Sequence, residues 1–259
     1  MADGDDTPVY LGPYLLGPND TEENGIYCGD CRELAQAIPD ESVDLVLTDP
    51  PFFMPVSHYQ SRVNWQRKWS DVSVLTHWWD MMAEIFARVT SQRGYVITFC
   101  NADSYAAFYP AMYNRWSRLV CLVWDKVRPG LGWNWRHQHE LILVACNSGA
   151  YKPNDGESRG DVLKHAITPP RNRNHPVQKP ATLLSEIIVA ACPPNGIVLD
   201  PFCGSGTTAE AAIVSKRRYL CFEADREYTT LARERVRNTQ PSLFTPEPEQ
   251  LEFEVNDDD

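Results

Sequence analysis

Short apolar runs closed by carboxylates, glycines or prolines recur along the chain, and such unbroken runs mark strands covered on both faces. Val43 to Leu47 is one, ended by Thr48-Asp49-Pro50-Pro51-Phe52. The others are Ile26-Tyr27-Cys28 before Gly29-Asp30-Cys31, Tyr95 to Cys100 after Gly94, Leu119 to Trp124, Glu140 to Ala145, Ile197 to Asp200, and Arg218 onwards to Asp225. Between them the apolar spacing becomes that of helices. Cys31 to Ile38 is stopped by Pro39-Asp40; Trp78 to Val89, roughly 104 to 116, Ala181 to Ala191 and Ala209 to Val214 follow, and a last helix ends near Asn238. Alternating strands and helices predict right-handed crossovers and parallel pairing. The expectation is an α/β fold: one domain with a doubly wound, mostly parallel, seven-stranded sheet. The first strand–helix–strand unit would pair its two strands and set Asp30 and Asp49 on the same edge.

That edge is where open α/β sheets bind ligands. Asp49 would offer a carboxylate there, Pro50-Pro51 would stiffen the backbone and forbid further ladder pairing, and Phe52 would add an apolar face. The combination suits a planar ring with an exposed amino group; it reads equally as an acidic strand end with a turn. A second acidic strand end, Asp200, precedes Pro201-Phe202-Cys203-Gly204-Ser205-Gly206-Thr207-Thr208 and a helix. Its glycines allow a ligand close to the backbone, and the helix start supplies N–H donors. The loop is neither the dinucleotide fingerprint nor a P-loop, since no Lys follows its second glycine. A zwitterion or sugar against Asp200 fits better than a pyrophosphate. One crossover later Glu223 stands where doubly wound folds grip ribose hydroxyls.

Charge changes the picture of the partner. The net charge is −11, but residues 52 to 181 carry 16 Lys and Arg against 9 Asp and Glu, and the flanks carry 8 against 26. A basic middle, net +7 between flanks of net −18, is the asymmetry of a polyanion-binding face on an acidic protein. Two stretches there lack apolar periodicity. Residues 53 to 75 hold Tyr59, Arg62, Trp65, Arg67, Lys68 and Trp69, a mixture that can track phosphates and stack on bases. Residues 147 to 174 end in Arg171-Asn172-Arg173-Asn174. Eight cysteines stand singly, several inside apolar runs, as reduced thiols in a cytoplasm do. Cys28 and Cys31 form a CxxC without a second pair or suitably spaced His, so no metal is expected. The acidic start has no apolar leader segment.

Four stretches together carry a resemblance. Asp49-Pro50-Pro51-Phe52, His175-Pro176-Val177-Gln178-Lys179-Pro180, Asp200 through Thr208, and Phe222-Glu223-Ala224-Asp225 resemble the motifs of S-adenosylmethionine-dependent DNA amino-methyltransferases. Their order, catalytic motif before the cofactor loop, is similar to that of the β class. The resemblance covers most of residues 26 to 237 and departs from the usual motifs at Phe52, where Tyr is commoner, and Val177, where Thr is frequent. It implies a Rossmann-like methyltransferase fold and direct methyl transfer to adenine N6 in double-stranded DNA, with cytosine N4 as the alternative and a non-catalytic DNA-binding protein as a third. It implies S-adenosylmethionine held by Asp30 and Cys31 at the adenine edge, Glu223 at the ribose, and Asp200, Phe202, Cys203, Gly204, Ser205, Gly206 and Thr207 along the loop. Lys179 would pair with the cofactor carboxylate, and Asp49 would border the cofactor as well as the target. Asp49 and the Pro50 carbonyl would accept the N–H bonds of the target amine, beside Pro51, with the flipped base on Phe52. Arg62, Arg67, Lys68, Arg171 and Arg173 would contact DNA. A bacterial or phage protein, with or without a restriction partner, fits this class; the oligomeric state stays open, a homodimer included.

The expected organisation is a loose arm over residues 1–24, a methyltransferase domain over 25–240 with DNA-recognition loops at about 53–75 and 147–174, and an acidic tail over 241–259. At the tail's start, Gln240-Pro241-Ser242-Leu243-Phe244 resembles the peptide by which bacterial DNA enzymes dock to the replication sliding clamp; folding back of Leu243 and Phe244 onto the protein is the alternative. If they dock, a peptide spanning 238 to 249 binds a bacterial clamp in a titration and loses binding on Leu243→Ala with Phe244→Ala. No binding, or binding indifferent to that change, returns these side chains to the protein's own surface.

Overall fold

In the computed structural model of the chain, described for residues 8–51, 72–130, 134–152, 159–168 and 178–240, the large sheet has eight strands rather than the expected seven. A hairpin of β1 (Tyr10–Leu11) and β2 (Tyr14–Leu15) stands apart from it. The sheet takes β3 (Ile26–Cys28), β4 (Val43–Thr48), β5 (Thr90–Cys100), β6 (Arg118–Asp125), β7 (His139–Cys146), β8 (Val162–Lys164), β9 (Ile197–Asp200) and β10 (Arg218–Glu223). Across it the order is β3-β10-β9-β4-β5-β7-β6-β8. Pairing is parallel from β3 to β5 and between β6 and β8, while β7 is antiparallel to both of its neighbours. One strand is therefore reversed, and its amino end lies on the edge formed by the carboxyl ends of the rest.

Helices cover both faces. On one lie α1 (Cys31–Leu34) with the 3₁₀ turn Ala35–Ala37, α2 (Val72–Val89) and α3 (Ala102–Tyr113); on the other lie α4 (Ala181–Ala191), α5 (Thr207–Val214) and α6 (Arg226–Asn238). β4 shows why its run reads as continuous: Val43 and Val46 enter the first core, Leu45 and Leu47 the second. Both sets are removed from water, each such side chain contributing about 1.5–3 kcal/mol.

Three expectations change. The strands 26–28 and 43–47 are not partners, because β10 and β9 lie between them. They are still parallel members of one sheet, so Asp30 and Asp49 do share an edge. The two stretches without periodicity are also partly regular: α2 begins inside the first, and β8 lies inside the second. Three residues are too few to declare a period; β8 is fixed by its ladder with β6, Val123 to Val162 through Asp125 to Lys164.

The N-terminal segment is packed from residue 8 rather than loose. Leu11, Tyr14 and Leu16 are buried. The Tyr14 ring sits edge-on 4.9 Å from that of Tyr27, and the Tyr27 hydroxyl accepts from Leu15 N at 2.9 Å and donates to Leu15 O at 3.1 Å. Gly17 exchanges two backbone hydrogen bonds with Tyr219, both 3.0 Å. Polar composition concealed this because the binding groups are backbone amides and phenols, with only a few apolar side chains. A Cβ at Gly17 would lie 2.2 Å from the Tyr219 ring. Gly17→Ala is therefore expected to cost about 1–3 kcal/mol, as overpacking does, visible as a lower Tm; an unchanged Tm would show that the segment contributes nothing.

Candidate active site

A cavity of about 910 Å³ opens along this edge, lined from the ends of β4, β5, β6, β9 and β10, from the start of β7 and from the residues that follow β3, β4, β9 and β10. Asp49 lies just past the end of β4. Lys179, two residues before α4, brings its Nζ to 2.6 Å from Asp49 Oδ2 and 3.0 Å from Glu140 Oε2. Glu140 belongs to the reversed β7, and its other oxygen lies 2.7 Å from Lys126 Nζ. The two ammonium groups stand over aromatic faces, Lys179 Nζ 5.1 Å from the Phe99 centroid and Lys126 Nζ 5.3 Å from that of Trp124. Lys126, Glu140, Lys179 and Asp49 thus form one alternating row of charges.

Burial decides how these groups titrate. It pushes the Asp49 carboxyl up to about 6 despite the neighbouring ammonium. Burial also acts to raise Glu140, but two lysines outweigh it and hold that carboxyl below its ordinary value. Lys179 is raised, because two carboxylates overcome the desolvation that would lower it. Asp49 Oδ1 is buried without a hydrogen-bond partner among the described residues, an acceptor left unmet at a cost of about 1–3 kcal/mol.

The other half of the cavity is built from backbone donors. Asp200 Oδ1 accepts from Thr48 Oγ1 at 3.0 Å and from Phe202 N at 3.1 Å, while burial pushes its carboxyl up to about 7. Glu223 accepts from Gly204 N at 2.8 Å and Asp225 N at 2.9 Å, which ties the glycine loop to the end of β10; a carboxylate still has acceptor capacity beyond two such bonds. Gly206, at φ 82°, caps α5, and a Cβ there would lie 2.9 Å from that of Ala232. Both the backbone angle and the approach of α6 require glycine. Ser205 Oγ lies 3.3 Å from Arg235 Nη2, which also donates to Gln178 Oε1 at 3.0 Å, while Arg235 Nη1 donates to Glu210 at 2.6 Å. Asp30 caps α1 and forms a two-pronged ion pair with Arg32.

A family model of DNA methylases, the N6/N4 methyltransferase family, matches residues 43–234. The chain belongs to this family. Its members transfer methyl from S-adenosylmethionine to adenine N6 or cytosine N4 of DNA. The methylase is 26% identical over 255 residues to the type II methyltransferase M.HinfI of Haemophilus influenzae, across 85% of this chain and 70% of that protein. The crystal structure of the M1.HpyAVI–SAM complex matches with a TM-score of 0.60 at 25% identity, covering 82% of this chain and 98% of that one. The cytosine-N4-specific PvuII DNA methyltransferase shares the fold, with a TM-score of 0.63 at 17% identity over 83% of this chain and 90% of the other.

The methylase gathers Asp30, Cys31, Asp49, Pro50, Pro51, Lys179, Asp200, Phe202, Cys203, Gly204, Ser205, Thr207 and Glu223 around one cavity; Gly206 supports the loop from behind. Lys179, expected to pair with the cofactor carboxylate, has its ammonium against Asp49 and Glu140 in this structure. Phe52, Arg62, Arg67, Lys68, Arg171 and Arg173, with Leu243 and Phe244, lie outside the described residues. Glu140, Lys126, Arg235 and Trp78, which lines the cavity with its ring 5.5 Å from that of Phe202, escaped the sequence reading. Glu140 had a signal, a carboxylate leading an apolar run. Among the described residues no His, Cys, Asp and Glu are grouped as a metal site, and no helix is long and apolar enough to cross a membrane.

The Asp49 carboxyl is expected to set a pH limb. Above about 6 it is ionised and accepts N–H bonds; below, it is protonated and one oxygen becomes a donor. Methyl transfer is expected to fall as pH drops through about 6 or lower, since a bound sulfonium favours the carboxylate. Asp49→Asn, which keeps an acceptor and cannot titrate, should be slower and lack this limb in rate–pH profiles.

Proposed function

We propose that this methylase transfers methyl from S-adenosylmethionine to adenine N6 of a specific site in double-stranded DNA. The observation that carries the reading is the buried Asp49 Oδ1, without a hydrogen-bond partner among the described residues, beside an oxygen already fixed by Lys179. An aromatic amine lends its lone pair to the ring and is a poor nucleophile. With one N–H on Asp49 Oδ1 and the other on the Pro50 carbonyl, its nitrogen becomes more tetrahedral and its lone pair is aimed. Positioning and electrostatics then supply most of the rate.

The cavity's donor set fits the cofactor: carboxylates for an ammonium and hydroxyls, Phe202 for an apolar flank, and an unmet acceptor where the target amine would enter. When bound, S-adenosylmethionine supplies an electrophilic methyl on a sulfonium. In this reading Asp200 and Ser205 bind the amino-acid part, Glu223 the ribose, and Asp30 with Cys31 the adenine. Thr48 holds Asp200 in place, and Arg235 holds Ser205. The target base leaves the duplex to reach Asp49 and stacks on Phe52. The basic middle, Arg62, Arg67, Lys68, Arg171 and Arg173 included, tracks the DNA backbone. A restriction partner, a homodimer and a clamp tether through Gln240 to Phe244 are compatible additions in a bacterial cytoplasm.

Asp-Pro-Pro favours adenine; cytosine N4 would use the same acceptors on another ring. Tritiated-methyl transfer to mixed DNA, followed by base analysis, is expected to give N6-methyladenine. Asp49→Ala should lower transfer by far more than tenfold, as lost positioning does, with cofactor binding by calorimetry largely kept. N4-methylcytosine would reassign the base, and a variant within about tenfold of wild type would remove Asp49 from the chemistry.

A further inference from the structure

The alternating row extends beyond the two residues that the transfer reading uses. Lys179 has three N–H donors and stands 2.6 Å from Asp49 Oδ2. Alone, the ammonium could bridge both Asp49 oxygens and close the acceptor that the amine needs. Glu140 Oε2, which meets the same ammonium at 3.0 Å as an ion pair rather than a hydrogen bond, draws it back. Lys126, 2.7 Å from the other Glu140 oxygen, fixes the direction of that pull.

We propose that Glu140 and Lys126 are positioning residues for methyl transfer: together they hold the Lys179 ammonium on one oxygen of Asp49, so that the other stays open to the target amine. The proposal rests on the reading of Asp49 as the amine's acceptor. It gives the amino end of the reversed strand a part in the reaction, and it separates this row from the cofactor half of the cavity, where Asp200 and Glu223 bond to backbone amides and Thr48.

The groups whose charge acts on Asp49 are Lys179 before α4, Glu140 on β7 and Lys126 after β6; Asp200 on β9 and the Cys100 thiol on β5 are coupled to it too. Glu140→Gln removes an anion and releases Lys179 towards Asp49, so the acid limb of kcat moves to lower pH. Lys126→Met removes a cation and leaves Glu140 uncompensated, so the limb moves to higher pH. Shifts on the order of half a unit are expected from one neighbouring charge. Both variants lower kcat while KM for S-adenosylmethionine holds within about twofold, a change worth less than about 0.5 kcal/mol. The double variant, which loses one charge of each sign and guards against a single change that fails to fold, returns the limb towards wild type. A merely structural role would not split the shifts by sign. Shifts in one direction, no shifts, or a selective rise in KM for the cofactor would overturn the proposal. Asp49→Asn separates the two readings. A limb that persists in it overturns the acceptor reading and this one with it; a limb lost there but unmoved by Glu140→Gln and Lys126→Met overturns this one alone.

Discussion

A lysine ammonium taken out of water and held between two carboxylates is the constraint on which the rest of the site depends. Lys179 is 8% exposed, and an isolated charge there would be untenable. Its two partners come from parts of the chain that nothing local joins, Asp49 at the end of a parallel strand and Glu140 at the start of an antiparallel one. Removing either would leave charge uncompensated, at about 3–5 kcal/mol for a broken buried pair. The ion pairs therefore specify the relative placement of β4, β7 and the segment entering α4. Their net stabilisation is small, because desolvation offsets most of the attraction.

Sheet topology is what brings those partners together. In a wholly parallel sheet every strand would deliver its last residue to the binding edge and its first to the opposite one. Reversal of β7 between β5 and β6 places Glu140, near its start, among the last residues of the others. The connection from β6 into β7 then crosses the same edge and carries Lys126 with it. Thus the antiparallel strand supplies the anion, while the cation Lys126, just past the carboxyl end of β6, follows the same parallel rule as the other walls.

This explains which parts were legible in the sequence. Asp49, Asp200 and Glu223 each end an apolar run, and the rule that ligands gather at carboxyl ends finds them without further help. Glu140 begins its run, so the same rule passes it over until the direction of β7 is known, and direction is a long-range property that no local period encodes. Lys179 was legible as a site residue through its motif, but its partner was not, since pairing depends on three-dimensional proximity. Arg235 was hidden for another reason: α6 is dense in arginine, and only tertiary contact distinguishes the side chain that reaches Ser205 from Arg233 and Arg237, which bond to the carbonyls of Ile26 and Glu22. The packing of residues 8–24 was illegible because phenol and backbone hydrogen bonds leave little hydrophobic signature.

The two halves of the cavity present different electrostatic surfaces, and the difference suits a cation placed between them. Asp200 and Asp49 are both raised by burial, and Asp49 raises Asp200 further through like-charge repulsion. Asp200 has no ammonium partner comparable with that of Asp49 among the described residues; its bonds come from two hydroxyls, of Thr48 and Thr208, and an amide, which stabilise a carboxylate without neutralising it. A positively charged group entering the cavity would favour ionisation of both acids and relieve their repulsion. The sulfonium and ammonium of S-adenosylmethionine have that sign, whereas the thioether left after transfer has lost the sulfonium charge. Product therefore relieves less of the repulsion than substrate does. With the cofactor placed as proposed, these electrostatics would favour its charged form over its spent form.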